Sequence, residues 1–175
     1  MNLFLWGALP YIAFTFLIVG TLVRFFYFER NWTTKSSEFL EKKQLRIANP
    51  LFHFGLLCVI GGHVVGVLVP KAWTAAMGIN DHMYHEGALY MGAVAGIIFI
   101  VGFLLLMKRR FTVPAMKVNT SGFDKWLYLF LTLAIFSGMA GTLLNASGFF
   151  DYRVSIGPWF RSLLSFMPDP SLMEG

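Results

Sequence analysis

Four long apolar runs separated by short charged stretches set the pattern of this 175-residue chain. They cover about residues 3–28, 51–69, 87–107 and 126–146. Each has the roughly 20 apolar residues needed to cross a hydrocarbon core. The first is interrupted by Pro10 and carries Arg24 near its far end, where a long side chain can snorkel. The second lies between Pro50 and Pro70 and contains no Asp, Glu, Lys or Arg. The third is rich in Gly and Ala, and the fourth contains Gly138 and Gly141, a small-residue patch suited to close helix contact. Backbone groups in lipid must be satisfied within their own segment, which makes helix the assignment for every run. The pattern predicts an all-α transmembrane helical bundle of four spans, forming a single membrane domain over residues 1–175.

Two shorter pieces do not span. Residues 33–46 read as a helix outside the membrane, with Ser36 or Ser37 as caps and mixed charge along it. Residues 158–166 place Trp159, Phe160, Leu163, Leu164 and Phe166 at helical spacing, which predicts a short helix lying in the interface. The first apolar run is long and lacks a basic leader, so it reads as a retained span rather than a cleaved signal.

Composition sharpens this picture. The chain is 57% hydrophobic and only 13% charged, against about 25% charged in soluble domains. Its net charge of +5 does not point to nucleic acid, because the cations sit in short loops between apolar runs. Those cations also orient the chain. Arg30, Lys35, Lys42, Lys43 and Arg46 fill the first loop, and Lys108, Arg109, Arg110, Lys117 and Lys125 the third. The second loop has only Lys71, and the tail only Arg153 and Arg161. The positive-inside rule puts loops one and three in the cytoplasm and the N-terminus outside. Trp6, Trp73, Trp126 and Trp159 fall near the expected interfaces. The single cysteine, Cys58, lies inside a span and reads as a packing residue.

Candidate chemistry concentrates in the second span. An ionisable side chain within a span is costly and marks function by default, and this span holds His53 and His63. Ten residues of helix separate them by about 15 Å of rise and roughly 80° of rotation. One shared metal cannot use both. Two stacked haems can, each iron taking one neutral imidazole as an axial ligand. Gly55, Gly62 and Gly66 would let a flat macrocycle approach the backbone, as would Gly61. A histidine in a span can instead hydrogen-bond a neighbouring helix; two on one span among glycines favour the ligand reading. A second cluster, His82, His85 and Glu86, stands at the start of the third span with Lys71 and Tyr84 nearby. It reads as a polar helix start, a weak metal site or the flank of a quinol pocket. No arrangement for hydrolysis and no phosphate-binding glycine loop is present.

Residues 49–70 (NPLFHFGLLCVIGGHVVGVLVP) resemble the gamma subunit of respiratory nitrate reductase. So do WTTKSSEFLEKK at 32–43, DHMYH at 81–85, KRRF at 108–111 and the tail from Asp151 to Arg161. The resemblance implies a five-span di-haem cytochrome b of the bacterial cell membrane that oxidises quinol near the outer face. Electrons would pass through two b-type haems to a cytoplasmic iron–sulfur beta subunit and on to a molybdenum-containing alpha subunit. His53 matches the ligand of the haem nearer the beta subunit, and His63 that of the distal haem beside the quinol site. The second ligand of each haem is expected from the family's fifth span, beyond the end of this sequence. His82, Tyr84, His85 and Glu86 fall where the family's quinol region lies, although that region can carry a lysine that this sequence lacks. Two alternatives remain at this point: a related haem b anchor of another reductase, and a cofactor-free membrane scaffold or transporter.

Overall fold

A computed structural model describes residues 3–28, 40–149 and 151–173. Among these residues every regular element is helical. A π-helical turn, Phe4–Ala8, leads into α1, Leu9–Tyr27. Then follow α2 (Leu45–Leu68), α3 (Lys71–Ala76), α4 (Asp81–Thr112), α5 (Pro114–Val118), α6 (Gly122–Ala146) and α7 (Ile156–Leu164). A 3-10 turn, Pro170–Met173, ends the described chain. Four of these helices are long and apolar enough to cross a membrane: Phe4–Tyr27, Leu45–Leu68, Asp81–Thr112 and Gly122–Ala146. The all-α, four-span architecture expected from the apolar runs is therefore the architecture observed. Large apolar side chains such as Phe16, Phe26 and Phe136 stand about three-quarters exposed, at 76%, 70% and 70%. Contiguous apolar surface of that extent is stable only against lipid or another protein.

The helix ends differ from the sequence reading in instructive ways. Only residues 40–46 of the short helix expected over 33–46 are described. Residues 40–44 are non-helical, with a turn at 43–44, and α2 starts at Leu45. Helix α2 runs straight through Pro50, which costs it only the bond that a residue 50 N–H would give to Arg46. Helix α4 starts at Asp81, six residues before the apolar run, because the Asn80 side chain accepts a hydrogen bond from Met83 N (2.8 Å) and caps it. The tail helix is α7, displaced two residues toward the N-terminus from the expected 158–166.

The chain forms two compact units. In the first, α7 packs on α1. Pro10 has no N–H to give the Trp6 carbonyl, and the Trp159 indole N–H donates to that oxygen instead (2.8 Å). The same two tryptophans meet edge-on with centroids 5.6 Å apart, and Tyr11 Oη donates to Leu163 O (2.8 Å). Helix α7 stops at Phe166, which takes the left-handed conformation (φ 58°) and stacks on Tyr11.

The second unit is built on the crossing of α2 and α4. At Gly55 an added Cβ would lie 2.6 Å from Phe99 Cα, and at Gly102 it would lie 2.6 Å from Phe52 Cα. Each glycine accepts the other helix's backbone, so the two helices touch without intervening side chains. Phe52 fills the space beside the crossing against Phe99 (5.2 Å) and Phe103 (6.4 Å). The patch at Gly138 and Gly141 makes no such contact, since nothing lies within 4 Å of a Cβ built at either. Helix α6 instead begins with a capping box, Ser121 and Asp124 bonding reciprocally. Asp124 also accepts from Arg110 (2.8 Å), tying the end of α4 to the start of α6.

A second tie joins α4 to the turn before α2. Arg109 is 3% exposed, and its Nε–H donates to Glu41 Oε2 (2.8 Å) while its guanidinium also bonds the Glu41 carbonyl. Glu41 Oε1 accepts the Gln44 N–H (2.7 Å). That hydrogen bond, joined by Arg109 and opposed by partial burial, holds the Glu41 carboxyl below its ordinary value of 4.5. A lowered carboxylate stabilises the fold above pH 4.5, and the contribution is lost as pH falls through the lowered value. Glu41→Gln is accordingly expected to melt below the parent at neutral pH. The gap in Tm, followed from pH 7 to about pH 3, should close as the parent's carboxyl protonates; a gap constant with pH refutes the linkage.

Candidate functional site

Helix α2 presents both histidines of the sequence reading, exposed rather than covered by α4. The Nδ1 of His53 lies 2.9 Å from the Asn49 carbonyl, and that of His63 lies 2.8 Å from the Val59 carbonyl. A carbonyl oxygen only accepts, so each Nδ1 carries the proton and donates. The tautomer leaves each Nε2 with a free lone pair directed away from its own helix. Orienting one ring nitrogen through a backbone carbonyl is the arrangement by which proteins prepare the other for a metal. Each level of α2 thus offers one prepared imidazole, about 15 Å from the next.

The surrounding glycines separate into two groups. Gly61 and Gly62 have nothing within 4 Å of a built Cβ, so the helix surface beside His63 is open to a flat group. Gly55 is closed against the Phe99 backbone, and its small size is required by the helix crossing. Gly66 is buried. Phe52 lies edge-on to the His53 ring (5.2 Å), so the crossing that seats Phe52 also flanks His53.

The polar cluster at the other end of α4 is arranged along the first turns of that helix. His82 and Glu86 approach across one turn (3.7 Å), both largely exposed, while Tyr84 and His85 are half-buried. Beside them Lys71, at the start of α3, pairs with Asp151 (3.0 Å) and Asp81 (3.6 Å). This three-membered charge network links the starts of α3 and α4 to the segment after α6. Among the described residues no group of three or more His, Cys, Asp or Glu side chains converges to hold a metal ion.

Comparison with known proteins completes the picture. The family model for the nitrate reductase gamma subunit matches residues 2–175. The chain belongs to the nitrate reductase gamma subunit family. It is 46% identical over 171 residues to the nitrate reductase gamma chain of Bacillus subtilis, covering 97% of this chain and 77% of that one. It is 31% identical over 143 residues to the respiratory nitrate reductase 1 gamma chain of Escherichia coli, covering 82% and 62%. It is also 39% identical over 171 residues to the nitrate reductase-like protein NarX of Mycobacterium tuberculosis, where it covers 96% of this chain and 26% of the other. Four apolar helices in a gamma subunit make it a multi-pass bacterial membrane protein. As a gamma subunit it is an electron-transfer component of an oxidoreductase complex.

Two features of the second unit escaped the sequence reading. One is Arg109, which reads as one of the third loop's orienting cations but is buried on Glu41; the carboxylate of Glu41 in the first loop was the available signal. The other is the Gly55–Gly102 pair. Both glycines are visible in the sequence, but they lie 47 positions apart on two different helices, and the sequence does not show that those helices cross there.

Proposed function

We propose that this gamma subunit oxidises quinol near the outer membrane face and delivers the electrons to a cytoplasmic iron–sulfur beta subunit, which serves a molybdenum-containing alpha subunit. The observation that carries the reading is the pair of imidazoles on α2, each with Nδ1–H held by a backbone carbonyl and Nε2 left free. Those residues fit two b-type haems: His53 and His63 would each ligate one iron, and Gly61 and Gly62 leave the helix open beside His63. When bound, such haems would supply one-electron carriers. The second ligand of each would come from the family's fifth span.

The rest is the work of this chain's own groups. The loop cations orient the first and third loops inward and the N-terminus outward, which places His63 and the start of α4 on the outer side and His53 on the inner. Quinol oxidation releases protons, and His82, Tyr84, His85 and Glu86 stand at that outer end as hydrogen-bonding and proton-accepting groups. Gly55 and Gly102 let α2 and α4 touch backbone to backbone, and residues 1–175 work as one membrane domain.

Membranes containing the complete complex are expected to show a b-type absorption spectrum that a quinol analogue reduces and nitrate reoxidises. A colourless purified subunit would favour a cofactor-free scaffold, and a reduced spectrum that another acceptor reoxidises but nitrate does not would assign the subunit to a different reductase.

A further inference from the structure

A buried arginine at the end of a span calls for a reason. Lys108, its neighbour, is exposed as a stop-transfer cation should be, whereas Arg109 has its side chain only 4% exposed and points into the protein onto Glu41. A buried pair is weak evidence for stability, because desolvating two charges offsets most of their attraction. Its geometry has a clearer consequence. Arg109 holds Glu41 at two points, Nε–H to carboxylate and guanidinium to carbonyl. Glu41 in turn accepts the N–H of Gln44, the N-cap residue of α2. Ala48 N–H bonds the Gln44 carbonyl (2.9 Å) and is fully buried, and the following carbonyl, that of Asn49, orients His53. Hydrogen bonds, joined by the helix backbone between them, therefore connect α4 to the His53 ring over nine residues of α2, about 14 Å.

The glycine crossing alone would not determine where His53 sits. Gly55 and Gly102 permit close approach, and Phe52 packs beside them against Phe99 and Phe103, but none of these contacts is a directional bond. The Arg109–Glu41–Gln44 chain supplies the missing restraint at the end of α2 nearest His53. We propose that Arg109 is a positioning residue that fixes the height and rotation of α2 against α4 and thereby aims His53. The inference rests on the assignment of His53 as a haem ligand made above. It gives the arginine a role in ligand orientation distinct from membrane topology, of the kind that outer partners of metal ligands have.

The test uses the complete complex carrying Arg109→Gln, Arg109→Lys or Glu41→Gln, with His53→Ala as reference. Two readouts are combined: electron paramagnetic resonance and redox titration of each haem, and hydrogen exchange of the amides at residues 44–49. Arg109→Gln is expected to shift or split the signal of the haem on His53 and to change its reduction equilibrium about threefold or more, roughly 28 mV for one electron. The signal of the haem on His63 should stay as in the parent. Amides 44–49 should exchange faster. Arg109→Lys, which keeps a donor to Glu41, should recover most of the parent behaviour, and Glu41→Gln should shift the same signal by less than Arg109→Gln. Unchanged His53-haem signals and unchanged exchange in Arg109→Gln overturn the inference, as does an equal change at both haems. If Arg109→Gln does not assemble, parent-like signals in Glu41→Gln overturn it. Retention of both haems by His53→Ala would instead overturn the ligand assignment, which the exchange readout does not depend on.

Discussion

Replacing His63 by alanine is expected to stop quinol-driven electron entry while leaving the protein folded and the inner carrier in place. His63 is exposed on α2, and its Nδ1–H donates to the Val59 carbonyl of its own helix. Removing it therefore breaks no contact between helices, and α2 keeps its crossing with α4 through Gly55 and Gly102. What is lost is the free Nε2 on the outer side. Partners of metal ligands typically cost 10–100-fold when removed, so loss of a ligand itself should cost roughly 100-fold or more in quinol-driven nitrate reduction. An artificial donor that reduces the partner subunits directly should be used at the parent rate. A drop with both donors would mean that assembly had failed; parent rates with both would remove His63 from the electron path.

Gly102→Ala is expected to have the largest effect on stability. Its new methyl would lie 2.6 Å from Phe52 Cα, and backbone on an opposing helix cannot turn away as a side-chain tip can. Overpacking costs about 1–3 kcal/mol when neighbours can adjust, and a contact with backbone belongs at the upper end, near 3 kcal/mol. Gly55→Ala meets the Phe99 backbone in the same way and should behave alike. The controls are Gly61→Ala and Gly62→Ala, where nothing lies within 4 Å. There the helix gains up to about 1 kcal/mol of intrinsic preference, and stability should hold. Thermal melting of the four variants in detergent separates the two groups. Equal melting across all four would show that the helices do not cross at these glycines. A larger side chain, Gly62→Leu, should keep the helix pair but lower haem loading, since it fills the open face beside His63.

These two predictions show what could be read from the sequence. The four spans were legible because lipid admits only long, self-satisfied helices, and each apolar run is long enough to cross. Their ends were less so: Pro50 does not stop α2, and the Asn80 cap carries α4 well beyond its apolar run, because helix ends obey local caps rather than hydropathy. The histidine pair was visible from its spacing, which a single helix fixes. The carbonyl bonds that prepare both rings also follow from spacing, each reaching back four residues, but only the structure shows them made. Spacing within one helix says nothing about its neighbour. Hence Gly55 and Gly62 look alike in the sequence, although one is closed by Phe99 and the other faces open space. Arg109 and Lys108 look alike for the same reason, and Gly138 and Gly141 carried the signature of a contact that Gly55 and Gly102 make.

Haem stoichiometry tests the central claim most directly. A pyridine haemochrome assay on the purified complete complex, with protein measured independently, should give two b-type haems per gamma subunit in the parent and one in each of His53→Ala and His63→Ala. Two haems retained in both variants would contradict the account.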